Sequence, residues 1–395
     1  MSERKRIYLC LAHMSESNLE QHYIKEAFDT NWIAPLGPNV NGFEADLEAF
    51  FDDRRKVVAL SSCTAAIHLA LLELGVGQGD EVLCQSFSFC ASSNPVTYCG
   101  AKPVFIDSEP DTWNIDPKLL EKAIQDRVEK TGRKPKAIIV VDLYGMPANW
   151  EAIEAVGRRY DVPIIEDAAN ALGSFYQGKP CGLFGELGTL SFNGNKMITT
   201  SGGGALLCAD PQTKKHVVFM STQAREPFPY YQHETIGFNY RMSNICAGIG
   251  RGQMTILENH LAHHKRLHQL YHELLQGVDG IALHENPDLR YDSCFWLNNI
   301  TIDPELHVIG QIDPHTSCEP NPNVEALRVY LDQQGVEARP LWKPMHKQPV
   351  YKDAPAYVNG VSEQLFKVGL CLPSGPCVSD ENVKFIIKCI KDALV

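Results

Sequence analysis

Lys196 stands in residues 191–204 (SFNGNKMITTSGGG), a small, polar, glycine-rich stretch with no second charged side chain. Surface lysines ordinarily stand among other charges, whereas a neutral setting suits an amine that must shed its proton and attack a carbonyl. Taken alone, an ordinary turn lysine would fit the same loop. Three more stretches invite a chemical reading. Residues 60–66 (LSSCTAA) place Ser62, Cys63 and Thr64 between a strand and a helix. Free amides and the positive end of the helix dipole would suit a phosphate there, with the hydroxyls of Thr64 and Ser191 in support, although for that stretch taken alone a plain helix cap is the favoured account. Residues 164–169 (IIEDAA) end a buried strand on Asp167, and an ionised acid at that point could hold a proton on a ring nitrogen. Residues 237–244 (GFNYRMSN) form a polar lead into a helix capped by Ser243, which a solvated helix start would also explain.

The elements that must position these groups alternate. Strands are predicted over 57–60, 81–84, 103–106, 137–141 and 163–165, with helices over 64–74, 91–98, 117–129 and 150–160 between them. Such alternation builds a largely parallel sheet with helices on both faces, where ligands gather at the carboxyl ends of the strands. After Gly203 the pattern changes to a strand over 205–209, a Pro-, Tyr- and His-rich stretch over 227–238, and one long helix from Ser243 to about 275. The 395 residues exceed what one core usually holds. They divide into a large α/β domain over 1–255 and a smaller α+β domain over 256–395.

Composition removes other classes. A net charge of −12 and the absence of long basic runs argue against nucleic acid. The 13 cysteines form no C-x2-C pair, so free thiols in a reducing cytoplasm are expected rather than disulfides or zinc. Residues 7–12 are too short for a signal core, and the longest apolar runs, such as 137–141, are strand-sized, so a soluble cytoplasmic chain with no membrane partner is expected. His260, His264, His268 and His272 share one helix face, but nothing completes a metal set and the charged residues around them suggest a solvated face; no metal is expected. Residues 75–79 (GVGQG) follow a helix and precede a strand, the reverse of a dinucleotide loop, and read as a helix stop and turn.

Together the four stretches resemble the DegT/DnrJ/StrS family of sugar aminotransferases. The family runs S-G-T-A-A, D-A-A-x-x-x-G, S-F-x-x-x-K with T-x-G-G-G, then G-x-N-Y-R, met here at 62–66, 167–173, 191–204 and 237–241; the likeness extends from Asn31 to Gly375. It implies a fold-type I enzyme whose large domain holds a mostly parallel seven-stranded sheet. The cofactor would be pyridoxal 5′-phosphate, with pyridoxamine phosphate as intermediate. By the same resemblance Lys196 anchors the cofactor and Asp167 meets the pyridine nitrogen. Ser62, Cys63, Thr64 and Ser191 meet the phosphate, Phe89 stacks on the ring and Asn170 lies near O3′. Asn239 reaches in from the neighbouring subunit of a homodimer, with Arg241 in the same motif. Asn31, Trp32, Ile33, Ala34, Arg339, Pro340, Leu341, Trp342 and His346, with Cys63, Ser191 and Asn239, fall on segments that contact the nucleotide-sugar.

Within the family the likeness is to the bacillosamine branch, implying a UDP-linked 4-keto-6-deoxy-N-acetyl sugar as acceptor and glutamate as donor. A GDP- or dTDP-linked keto-sugar, or a pyridoxal-phosphate-binding regulator without turnover, are the alternatives. The chain departs from the family pattern twice: Cys63 stands where glycine is usual, and Asn170 where Gln, His or Glu is usual. Lys196 separates it from the related dehydratases, which carry histidine there.

Overall fold

The computed structural model describes residues 5–312 and 319–395. Its central sheet is made by β1 (Lys56–Leu60), β2 (Glu81–Gln85), β3 (Lys102–Ile106), β4 (Ala137–Val141) and β5 (Ile164–Asp167). A short pair, β6 (Phe175–Tyr176) and β7 (Lys179–Pro180), intervenes before β8 (Leu187–Ser191) and β9 (Gly204–Cys208) complete the run. β4 is five apolar, mostly β-branched residues, all buried, as a strand covered on both faces must be. It pairs in parallel with β5, Ile138 beside Ile164 and Val141 beside Asp167. The spatial order is β1-β9-β8-β5-β4-β2-β3, with only β9 running against its neighbours.

The remaining strands are β10 (Ile281–Leu283), β11 (Tyr291–Asp292), β12 (Asn298–Ile302), β13 (Arg339–Pro340), β14 (Ala356–Tyr357) and β15 (Gly369–Leu372). β14 returns to the large sheet and pairs in parallel with β3, adding an eighth strand to the expected seven. β10, β12, β15 and β13 form a second, antiparallel sheet. Helices Pro322–Gln333 and Asp380–Ala393 cover it, closing a separate apolar cluster that includes Leu267, Ile300, Leu331 and Ile386.

Two expected helices are interrupted. The helix predicted from Ser243 to about 275 is two, Asn244–Met254 and Leu257–Leu275, with a bend at Thr255 and Ile256. The first lies close against the N-terminal helices Leu19–Asp29 and Pro38–Phe50, and glycine permits the approach: a Cβ on Gly252 would sit 2.6 Å from the Glu20 backbone nitrogen. The second is free to turn toward the second sheet. The helix predicted over 91–98 is a single 3-10 turn, Cys90–Ser92, followed by Asn94–Tyr98, because Pro95 restarts the helix in its first turn. The histidine stripe is not solvated: His260, His264 and His268 are buried and bond to the Met197 carbonyl, the Phe295 carbonyl and the Asn298 side chain. Among the described residues no helix is long and apolar enough to cross a membrane.

Candidate active site

The carboxyl ends of β1, β2, β5 and β8 open on a cavity of about 720 Å³. At the end of β1, Ser62 accepts from the Ala65 amide at 3.1 Å and caps the helix Cys63–Glu73. The amides of Cys63 and Thr64, first in that helix, have no acceptor among the described residues, and both residues line the cavity. Gly204 passes beneath this turn; a Cβ there would lie 2.3 Å from the Cys63 amide nitrogen, so only glycine fits.

Asp167 is the last residue of β5 and is buried. One carboxylate oxygen, Oδ2, accepts from the Ser92 hydroxyl at 2.6 Å; the other accepts from the Ala169 amide at 3.1 Å and the Cys63 thiol at 3.8 Å. Burial pushes this carboxyl above the usual range, while the Ser92 bond, the Ala169 amide and the Lys196 charge hold it down. Lys196 leaves the turn after β8 and reaches the same cavity, where Nζ donates to Asn170 Oδ1 at 2.5 Å and lies 4.1 Å from the centre of the Trp296 ring. Burial draws its ammonium down from 10.5 to about 8, against the opposing pull of Asp167. Phe89 and Trp342 stand at the mouth with ring centres 5.7 Å apart, beside Pro340 and Arg339, whose guanidinium is paired with Glu337 at 2.8 Å.

Of the residues singled out from sequence, Ser62, Cys63, Thr64, Phe89, Asp167, Asn170, Ser191, Lys196, Arg339, Pro340 and Trp342 share this cavity. The others lie elsewhere. Arg241 is turned away from it, bonded to Glu44 and to the Ala59 carbonyl at 2.9 Å, so its charge is spent inside the fold. Leu341 is buried in the core and packs on Gly369, since alternate residues of an extended strand face opposite ways. His346 is held behind the wall by Ser86 Oγ at 2.6 Å and Glu363 at 3.1 Å. Asn239 lies beside Thr222, and Asn31, Trp32, Ile33 and Ala34 form a turn outside the cavity, with Trp32 41% and Ile33 50% exposed. Sequence reasoning missed Ser92, Trp296 and Cys10, which line the cavity. Only Ser92 left a signal, a serine-rich run at the carboxyl end of a strand.

Residues 14–391 match the DegT/DnrJ/EryC1/StrS aminotransferase family. The chain belongs to that family. It is 44% identical to EpsN of Bacillus subtilis strain 168, provisionally named a pyridoxal phosphate-dependent aminotransferase, over 97% of this chain and 95% of EpsN. It is 33% identical to the GDP-perosamine synthase of Caulobacter vibrioides over the full length of both. Among solved structures, Spr1654 of Streptococcus pneumoniae, provisionally named a sugar aminotransferase, superposes with a TM-score of 0.86 at 26% identity, covering 98% of each chain in its PLP form, and has also been solved in a PMP form. This DegT/DnrJ/EryC1/StrS member is therefore a pyridoxal-phosphate-dependent sugar aminotransferase, with the fold-type I architecture of its family. The cavity fits that cofactor: a half-buried amine of lowered basicity, a carboxylate across from it and a turn of unpaired amides suit an aldehyde, a ring nitrogen and a phosphate.

Proposed function

We propose that this aminotransferase moves an amino group from glutamate to C4 of a UDP-linked 4-keto-6-deoxy-N-acetylhexosamine, the bacillosamine-type acceptor, as a cytoplasmic homodimer with shared sites. The observation that carries the amino transfer is the presence, in one cavity, of an amine drawn down to about 8 and a buried carboxylate beside unpaired helix-start amides, while the UDP-linked acceptor rests on the likeness of the 31–34 and 339–342 stretches to the bacillosamine branch. Pyridoxal phosphate supplies, when bound, an electron sink and a carrier for nitrogen.

The chain's own residues do the rest. Lys196 is the amine that would hold the cofactor covalently and, when free, would carry a proton at its Nζ as acid and base; with its basicity lowered, a useful fraction of the amine is neutral near neutral pH. Asp167 would meet the ring nitrogen and favour its protonated form. The Cys63 and Thr64 amides, with Ser62, Thr64 and Ser191 hydroxyls, take the phosphate. Phe89 would cover the ring, and Asn170, which already meets the Lys196 amine, would help to hold it. Asn239, outside the cavity of its own chain, is assigned to the partner subunit's phosphate. At the mouth, Arg339 offers its charge to the diphosphate on release from Glu337, with Pro340, Trp342 and the exposed 31–34 turn beside the nucleotide.

A GDP-linked keto-sugar is the second reading, favoured by the full-length match to a GDP-perosamine synthase. Incubation of the purified protein with glutamate and UDP-, GDP- and dTDP-linked 4-keto-sugars, read by mass spectrometry, tests both. Amination of the UDP sugar is the expected result; amination of the GDP sugar alone moves the assignment to the second reading, and amination of none overturns both.

A further inference from the structure

The loop leaving β2 carries a chain of hydroxyls that ends on the carboxylate. Ser92, almost fully buried, lies 2.6 Å from Asp167 Oδ2, and Ser88 Oγ lies 2.8 Å from Ser92 Oγ. A hydroxyl has one proton to give, and an ionised carboxylate only accepts. With the Ser92 proton committed to Asp167, Ser88 donates to Ser92 at 2.8 Å in preference to the Phe89 carbonyl at 3.3 Å, so the chain has a direction, Ser88 to Ser92 to Asp167. The titratable groups facing the carboxylate from the other elements are Cys63, at the start of the helix after β1, and Lys196, after β8; Thr189 of β8 takes up the Cys63 thiol at 3.6 Å and not the carboxylate. Asp167 Oδ2, met only by Ser92 among the described residues, retains a lone pair, whereas Oδ1 is taken up by the Ala169 amide and the Cys63 thiol.

We propose that Ser92, oriented by Ser88, is a positioning residue that aims Asp167 at the pyridine nitrogen and keeps it ionised. The inference rests on the assignment of Asp167 above. Its physical basis is that a buried charge stays charged only when donors replace the water it has lost, and hydroxyl donors to a carboxylate are among the stronger bonds available. The same loop presents Phe89, so one stretch of backbone would set both the cover over the ring and the acid at its edge.

Three readouts on the holoenzyme test this for Ser92→Ala, Ser92→Thr, Asp167→Asn and the Ser92→Ala/Asp167→Asn double variant: the pH titration of the bound cofactor's absorbance, cofactor affinity by quenching of tryptophan fluorescence, and the separate values of kcat and KM. Ser92→Ala is expected to lower kcat about 10- to 100-fold, the worth of a hydrogen bond to a charged group. It should shift the absorbance titration and weaken cofactor binding, with KM for the sugar changed by less than about threefold because the interaction lies away from the substrate. Ser92→Thr, which keeps the hydroxyl, should restore all three, and Ser92→Ala should add nothing in the Asp167→Asn background. If Asp167→Asn is crippled while Ser92→Ala titrates and turns over as the parent does, the proposal fails and the assignment of Asp167 stands. Loss of activity in Ser92→Ala with an unchanged titration and no rescue by threonine also overturns it, leaving a purely structural serine. A parental spectrum and rate in Asp167→Asn overturn both.

Discussion

Glu166 and Asp167 are neighbours on β5, and their side chains leave opposite faces of the sheet into two different electrostatic worlds. On the cavity face, Asp167 is met by a hydroxyl, an amide, a thiol and a nearby ammonium. On the core face, Glu166 accepts the amides of Gly182 and Phe184 at 2.5 and 2.6 Å but also confronts Asp142 and Cys181, all three buried, with reactive atoms within 4.8 Å of one another. Asp142 Oδ1 takes the Ala148 amide and the Trp150 indole, while no N–H among the described residues reaches its Oδ2. Burial pushes Asp142 up to about 6, and burial plus the Asp142 charge push Glu166 well above the carboxylate range. Two carboxyls that close cannot both be ionised, so they hold a proton between them. Depth alone therefore does not decide the charge of a buried acid; the sign of the nearest charge does, a second carboxyl beside Glu166 and an ammonium beside Asp167. The face with the ammonium is the one turned to the cavity.

The harshest test of the cavity face is Lys196→Met. Activity and the absorbance of the lysine-linked cofactor should vanish, a loss beyond the about 10²- to 10⁴-fold that removal of an acid–base group alone costs. The apo protein should become more stable at pH 7. The sign follows from the depressed ammonium: a base whose folded pKa, about 8, lies below its ordinary 10.5 favours the folded state least when charged, so apo stability of the parent rises as pH climbs from about 8 past 10. Replacing the lysine by a neutral side chain should bring about 1–3 kcal/mol at pH 7 by thermal unfolding. A variant no more stable than its parent would show the amine to be better solvated than the cavity walls suggest. Asp167→Asn comes next, with kcat down about 10²- to 10³-fold, as for other preorganised charges lost from an active site. Its stability should hold or rise, because the acid it replaces is held in place against desolvation.

What could be read from the sequence depended on how local its cause was. β4 and the helix Trp150–Tyr160 emerge at their predicted limits, since five buried apolar residues in a row and the Asn149 cap act within a few positions. The bend at Thr255 was illegible: no proline marks it, and the two helices differ only in which distant elements they cover. In the site, the Lys196 loop stood out because charge is missing around it. Ser92 hid inside what reads as a helix and acquires meaning only when folding brings it to a carboxylate 75 positions away. Arg241 and His346 were misplaced for the reason that motifs give positions along the chain and not directions; Arg241 is claimed by Glu44, 197 residues distant.

The smaller effects probe the core face and the weakest donor of the cavity face. Cys63→Gly removes a thiol 3.8 Å from Asp167, a poor donor at that range, so kcat should change by less than about threefold, with a stability cost of about 0.5–1 kcal/mol from glycine in the helix start. Asp142→Asn should leave kcat unaltered, in sharp contrast to the same change at Asp167. The remaining side-chain oxygen can keep the Ala148 and Trp150 bonds while the new amide donates to Glu166, supplying the donor that the core face lacks. Because Asp142 is raised to about 6 in the fold, the parent owes its pair a stability that is full below the unfolded value near 4 and is lost as pH climbs through 6. The variant should therefore unfold at a temperature that changes less between pH 5 and 8, and at pH 8 should gain about 1 kcal/mol, roughly one unit of the relieved shift. If instead Asp142→Asn steepens the pH dependence or destabilises the protein at pH 8, the two carboxyls are both charged and some donor compensates them, and the contrast between the faces of β5 disappears.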